Sequence, residues 1–325
     1  MTSDTNNWIR RTAKACGWAL LFVPLLASTL YFGERLGLPP LVSLLGALLP
    51  WLALARYSGL KQAAGLILGF SVVTAASYAW QAPSNERNWM PEFAQLARFE
   101  IQDQQLHASK LRDFDWQSAD TFRERWRSET FDLSQLSGLD LIVVPFGDSE
   151  RAAHVMLSFG FADGRKLALS VEARREVGED YSLLGGAARQ FELIYLFGSE
   201  RDLLGLRVLH RGDRVYSFPL RVEQSFAREL LLELCRAAND LHQRPQFYAT
   251  LRQNCATTLL GHVNRMRDEP LSPFLDTLFP ARIGQVLHRL GYLDTELDWP
   301  ATQENSRIDD KIRSRPHFAP LAPNP

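Results

Sequence analysis

His154-Val155-Met156-Leu157-Ser158-Phe159-Gly160-Phe161 is followed by Ala162-Asp163-Gly164, and then by Arg165-Lys166-Leu167-Ala168-Leu169-Ser170-Val171-Glu172-Ala173. Both flanks are apolar runs of strand length bounded by turn residues, and they read as a β-hairpin. Ala162-Asp163-Gly164 fits a three-residue loop with glycine in the left-handed position. Residue 161 then faces 165, and the register carries His154 opposite Glu172. Cross-strand partners have Cβ atoms about 5 Å apart. The Glu172 carboxylate is therefore placed to hold the His154 imidazole in one tautomer. A two-residue loop would break this parity. Without the pairing, Glu172 would belong with Arg174 or Arg175 on a solvated strand face.

Outward from the hairpin the strands continue. Phe99-Glu100-Ile101 and residues 111–114 have strand character around a polar turn. Leu139-Asp140-Leu141-Ile142-Val143-Val144 reads as a buried strand, and residues 191–197 and 215–220 as two more. Residues 118–127 read as a short helix capped by Ser118 or Asp120. After Glu223 the periodicity turns helical over 223–239, 246–252, 255–267 and 281–290. Strands first and helices after them indicate an α+β domain over residues 86–298, entered through a linker and amphipathic lead-in at 86–98. Residues 299–325 are polar and Pro-rich, and are expected to be a loosely ordered tail.

Asn254-Cys255-Ala256-Thr257-Thr258 reads as a helix start. Unpaired amides and the helix dipole there favour a negative charge, and cysteine reacts as the thiolate. The three cysteines, Cys16, Cys235 and Cys255, include no CxxC spacing, so neither a zinc site nor a disulfide framework is indicated. A cysteine at a helix start is ordinarily buried and inert. His154 on a separate strand supplies a base, which gives Cys255 the minimum equipment of thiol catalysis. A lone histidine on an apolar strand would otherwise be a core residue. Arg189, Glu192, Glu200, Arg201 and Asp202 form a charge-rich stretch whose simplest reading is a structural ion-pair network. Tyr195 reads as packed. No GxSxG, P-loop or HExxH motif is present, and no cofactor or metal is implied.

The first 85 residues differ in kind. Residues 15–33, 36–55 and 62–85 contain no charged residue, and each approaches the roughly 20 residues that span a bilayer as a helix. A signal peptide is the competing reading for residues 10–30, but two further spans follow it. Arg10, Arg11 and Lys14 precede the first span, and Arg56 and Lys61 lie between the second and third. The positive-inside rule puts both in the cytoplasm and sends residue 86 onward across the membrane, into the periplasm of a Gram-negative cell. A free thiol in that oxidising compartment is unusual, which favours a chemical role for Cys255. The net charge of −1 suggests no nucleic-acid partner.

These motifs, with Ser170–Glu176, Arg189–Tyr195, Glu200–Asp202, Phe247-Tyr248 and Asn254–Thr257, resemble the bacterial Lnb N-terminal periplasmic domain family. Arg112-Asp113-Phe114-Asp115 resembles its early segment, and the likeness covers roughly residues 88–290. The resemblance implies a thiol acyltransferase similar in role to an apolipoprotein N-acyltransferase, on a permuted papain-like core. That core is shared with the lecithin:retinol acyltransferase group and NlpC-like peptidases. Cys255 would be the nucleophile, His154 the base and Glu172 the orienting group. Asn254, Arg189, Glu192, Tyr195, Glu200 and Arg201 would support them. The implied partners are a phospholipid acyl donor, a diacylglyceryl lipoprotein acceptor and the bilayer of the bacterial inner membrane. The family name implies a domain ahead of its membrane helices, whereas here the spans come first. The rival readings are a papain-like hydrolase of cell-wall or peptide amides, which would need no three-helix anchor, and a non-catalytic membrane scaffold.

Overall fold

The hairpin forms in the expected register. In a computed structural model that describes residues 2–149, 151–271, 280–315 and 318, strands β7 (Ala153–Phe161) and β8 (Lys166–Arg174) pair from Gly160 with Lys166 to Met156 with Ser170. Phe161 N–H donates to Arg165 O at 3.0 Å, and Gly164 takes a φ of 84°. That angle suits glycine, which has no Cβ to clash. The ladder stops at Met156 and Ser170. The strands part before His154 and Glu172, and this opening is where the candidate site lies.

The other strands are β1 (Arg98–Gln102), β2 (Gln105–Arg112), β3 (Asp115–Trp116), β4 (Phe122–Arg123), β5 (Trp126–Asp132), β6 (Leu136–Pro145), β9 (Glu192–Gly198) and β10 (Tyr216–Pro219). Eight form one sheet in the order β1-β2-β9-β8-β7-β6-β10, with β5 also paired to β2, while β3 and β4 make a small ribbon. Neighbours are antiparallel except β2 and β9, which run parallel and meet at Arg112 and Gly198. A Cβ on Gly198 would lie 2.4 Å from Arg112 O, so this approach requires glycine.

Alternation along the strands sorts the two faces. Helices α6 (Gln224–Gln243) and α7 (Cys255–Arg265) pack on the face that carries Val155, Leu157, Val171 and Tyr195. Helix α6 buries Ala227, Leu230, Leu231, Leu234, Cys235, Ala238 and Leu241, an apolar stripe at helical spacing. Cys235 is part of that stripe, and burial pushes its thiol pKa well up, which makes it inert. On the opposite face Ile142, Val144 and Met156 pack with Leu204, Val208, Val215, Ile312 and Phe318. Ala168, Ile194 and Leu196 pack with Phe93 and Leu203. Among the described residues this unit also holds the short α-helices α5 (Glu200–Gly205), α8 (Ile283–Arg289), α9 (Trp299–Ser306) and α10 (Asp309–Ser314).

Three sequence expectations fail here. Residues 118–127 form no helix. Ser118 Oγ accepts from Asp120 N and Thr121 N at 3.2 and 3.0 Å, and this makes the tight turn between β3 and β4. Phe122 then stacks on Phe114 at 4.9 Å. Residues 246–252 are also not helical. Gln246 O accepts from Leu193 N at 2.8 Å and Phe247 bridges Glu192, so this stretch runs along the sheet. The segment from Trp299 is ordered rather than loose over its described part. Asp298 caps α9, Ile308 N donates to Val215 O at 2.9 Å, and Ile312 and Phe318 enter the core. Ile308 also packs against this core.

The remainder is a second unit, Met1–Pro83 with Asp180–Phe191. It holds α1 (Thr2–Arg35), α2 (Pro40–Tyr57), α3 (Leu60–Trp80) and the short α4 (Leu183–Ala187). Arg11–Arg35, Pro40–Tyr57 and Leu60–Trp80 are long and apolar enough to cross a membrane. The third helix ends at Trp80 rather than at residue 85. Leu25, Ala47 and Ile67 form the contact core of the three helices. A Cβ on Gly33 of α1 would meet Ser43 Oγ of α2 at 1.8 Å, the close approach that small residues allow between apolar helices.

Candidate active site

Cys255 is the first residue of α7. The Asn254 side chain accepts from Ala256 N at 3.0 Å and Thr257 N at 2.9 Å, and Thr257 Oγ1 accepts from Asn254 N at 2.9 Å. This reciprocal cap explains why the helix begins at the cysteine. It also narrows an expectation. The amides of Ala256 and Thr257 are committed to Asn254, so of the amides expected to favour a negative charge at this helix start the Cys255 N–H alone of these three lies outside the cap.

The thiol meets the hairpin where β7 and β8 part. Cys255 lies beside His154 and the backbone N–H of Val155, and both favour its thiolate form. Because β8 has left β7 at this point, that amide has no ladder partner across the gap. His154 Nε2 lies 2.6 Å from Ser170 Oγ and 3.1 Å from Glu172 Oε1. Ser170 Oγ donates to Glu172 Oε1 at 2.6 Å, and Arg207 Nη2 donates to the same oxygen at 3.2 Å. With Nε2 engaged by this pair, Nδ1 is the nitrogen left for the thiol. Cys255 and His154 are 9% and 6% exposed, so bulk water screens their interaction little.

The charges reinforce one another. Burial pulls the His154 pKa down, but the Glu172 carboxylate and the thiolate outweigh it, against Arg207, and raise it to about 9. Burial would raise the Cys255 thiol, yet the His154 charge and hydrogen bond and the Val155 amide bring it below its ordinary value. Burial also opposes ionisation of Glu172, while His154, Arg207 and Ser170 hold its carboxyl well below the usual range. The arrangement favours a thiolate–imidazolium pair, the reactive state of a nucleophilic cysteine.

The other supporting candidates lie elsewhere. Arg189 is in the helical unit, where it donates to Tyr78 O at 3.1 Å and covers the Tyr78 ring. Glu192 pairs with Arg87 at 2.9 Å, and burial raises its pKa to about 7. Glu200 accepts from Ser158 Oγ at 2.6 Å and pairs with Lys166 at 3.4 Å. Arg201 pairs with Asp113 and Asp115, and Asp202 holds Arg112 through two 2.9 Å bonds. These residues share a stretch of chain, but successive side chains leave the strand and helix in different directions and enter separate networks. Tyr195 Oη is 2.7 Å from His262 Nε2, and His262 Nδ1 is 3.2 Å from Glu233. Tyr195 thus ties α7 to the sheet and to α6, and does so two turns along from the thiol.

Sequence reasoning missed Ser170, Arg207 and the Val155 amide. Ser170 was within reach, because it lies two residues from Glu172 and so on the same strand face. Arg207 lies in the π-helical turn Leu206–His210, where no local pattern signals it. Among the described residues, no group of His, Cys, Asp and Glu is gathered in the way a metal ion requires.

Residues 122–283 match the family model of the Lnb N-terminal periplasmic domain. The chain carries a domain of this family. The match runs from β4 to the start of α8, narrower than the 88–290 over which the motifs were read, and contains His154, Ser170, Glu172, Arg207 and Cys255. Searches of curated proteins and of solved structures returned no match. The Lnb domain together with three membrane-competent helices makes this a membrane-associated protein with a periplasmic domain.

Proposed function

We propose that the protein is a membrane-anchored cysteine acyltransferase of the bacterial inner membrane, with its Lnb domain in the periplasm and a permuted papain-like core. The observation that carries this reading is the buried Cys255 thiol beside His154, with Ser170, Glu172 and Arg207 around the imidazole. The Cys255 thiolate attacks an ester carbonyl of a phospholipid. The carbonyl oxygen gains negative charge, which the Cys255 amide stabilises. The carbon–oxygen bond then breaks, and His154 gives the proton taken from the thiol to the leaving lysophospholipid oxygen. The acyl group remains as a thioester on Cys255. A diacylglyceryl-cysteine α-amine at a lipoprotein N-terminus attacks it, loses its proton to His154 and leaves as an amide, which restores the thiol. Membrane attachment keeps donor and acceptor at high local concentration. Arg10, Arg11, Lys14, Arg56 and Lys61 support the orientation.

The test is intact mass spectrometry of the purified protein after incubation with phospholipid, followed by a synthetic diacylglyceryl-cysteine peptide. A hydroxylamine-sensitive acyl adduct on Cys255 that moves to the peptide amine is expected. Acyl loss to water with no peptide product would identify a hydrolase instead. An adduct that persists in Cys255→Ser would overturn the thiol mechanism.

A further inference from the structure

An apolar hollow lies between the sheet and helices α6 and α7. Its walls include Val155 and Leu157 of β7, Leu230 of α6, and Ala256, Leu259 and Leu260 of α7. Its cavity volume is about 100 Å³, and it opens to the surface. Protein cores normally close-pack such space. Two of the walls also adjoin the nucleophile. The Val155 backbone N–H lies near enough to the Cys255 thiol to favour its ionised form, and Ala256 is the next residue of α7. Among the described lining residues only Arg267 is charged, and it is engaged with Tyr292 Oη at 2.7 Å.

We infer that this hollow holds the hydrocarbon chain of the acyl group carried on Cys255, an assignment that rests on the thiol-acyltransfer reading above. The carbonyl of a thioester is bonded to the sulfur, so its chain starts at the Val155 and Ala256 walls and continues over Leu157, Leu230, Leu259 and Leu260. A peptide or a lipid headgroup would need polar partners, which these walls lack. Each methylene transferred from water to such a surface favours binding by about fourfold. The site therefore selects donors by chain length, and its walls set that selection.

The inference is tested with p-nitrophenyl acetate, butyrate, hexanoate and octanoate and the purified full-length protein in a non-ionic detergent. In this step the Cys255 sulfur–carbon bond forms as the ester carbon–oxygen bond breaks. The thiol proton passes to His154, and nitrophenolate leaves with the bonding pair. Nitrophenolate release and intact mass report Cys255 acylation. The expected result is a rate that rises about fourfold per methylene, with Leu260→Trp lowering the octanoate-to-acetate ratio by about tenfold or more. Val263→Phe, which also lines the hollow, gives the same readout if Leu260→Trp does not fold. A flat wild-type series overturns the assignment, as does a ratio that both variants leave within about twofold, since one methylene alone exceeds that. In either case acylated Cys255 leaves the thiol reading standing. Failure of every ester to acylate Cys255 overturns both.

Discussion

His154 Nε2 is closer to Ser170 Oγ, at 2.6 Å, than to the Glu172 carboxylate, at 3.1 Å. The serine hydroxyl has one proton, and it donates that proton to Glu172. Its lone pairs then face His154, so Nε2 carries its proton toward Ser170 and Glu172. In the proposed mechanism Nδ1 is then the nitrogen that exchanges a proton with the thiol. The tautomer is set by a serine–glutamate pair rather than by a carboxylate alone.

Replacing Glu172 by Gln tests this electrostatic role. The pKa of His154 is raised from 6.5 to about 9, so the imidazolium is fully present below the lower value and is lost as pH rises through the higher one. Transfer activity in the wild type should fall on the alkaline side near pH 9, and the stability contributed by the ion pair should fade over the same window. Glu172→Gln should move the alkaline limb of the kcat/KM profile toward the ordinary imidazole value, with a milder loss at neutral pH than His154→Ala. An unmoved limb would show that Glu172 does not control His154.

Cys255→Ser and His154→Ala should each lower activity by about three orders of magnitude or more, and the double variant should lose little further. Nucleophile and base act as one unit, so their effects do not add. Single-turnover acylation kinetics measure this. Cys235→Ser and Cys16→Ser should leave the rates near wild type.

Asn254→Ala should cost about 1 kcal/mol of stability, because two amides of the first turn lose their acceptor. Urea denaturation of the membrane-extracted protein measures the change. Wild-type stability would show that the cap does not hold the start of α7.

Asp202→Ala should destabilise by about 3–5 kcal/mol, since it leaves the buried Arg112 guanidinium without its counter-charge. Phe114 N and Trp116 Nε1 lose their acceptor as well. Thermal unfolding should show a large drop. A small change would mean that water replaces the carboxylate.

A reporter fused after Pro325 should be active when it requires the periplasm and silent when it requires the cytoplasm. The charge asymmetry across the three apolar spans motivates this. The reverse pattern would invert the proposed topology.

Much of the site could be read locally. The three-residue loop with Gly164 sets the parity of the hairpin, and parity alone brings His154 and Glu172 to one strand face. Asn254 and Thr257 cap α7 through contacts within four residues, so the helix start at Cys255 is written in the chain. The uncharged stretches of the first 85 residues announce helices by length and composition. Each of these features depends on neighbours in sequence. Other features depend on packing at long range. Ser118 is as good a helix cap as a turn residue, and the packing of Phe122 against Phe114 decides for the turn. The segment after Trp299 is too polar to declare a fold, and it becomes ordered because Ile312 and Phe318 find the core around Ile142 and Met156. The separation of β7 from β8, which admits the Cys255 sulfur to the Val155 amide, and the reach of Arg207 to Glu172 across 35 residues follow from how the helices and sheet pack. Hydrogen-bond parity and capping are short-range and legible, whereas an opening between strands exists only once the rest of the chain has folded around it.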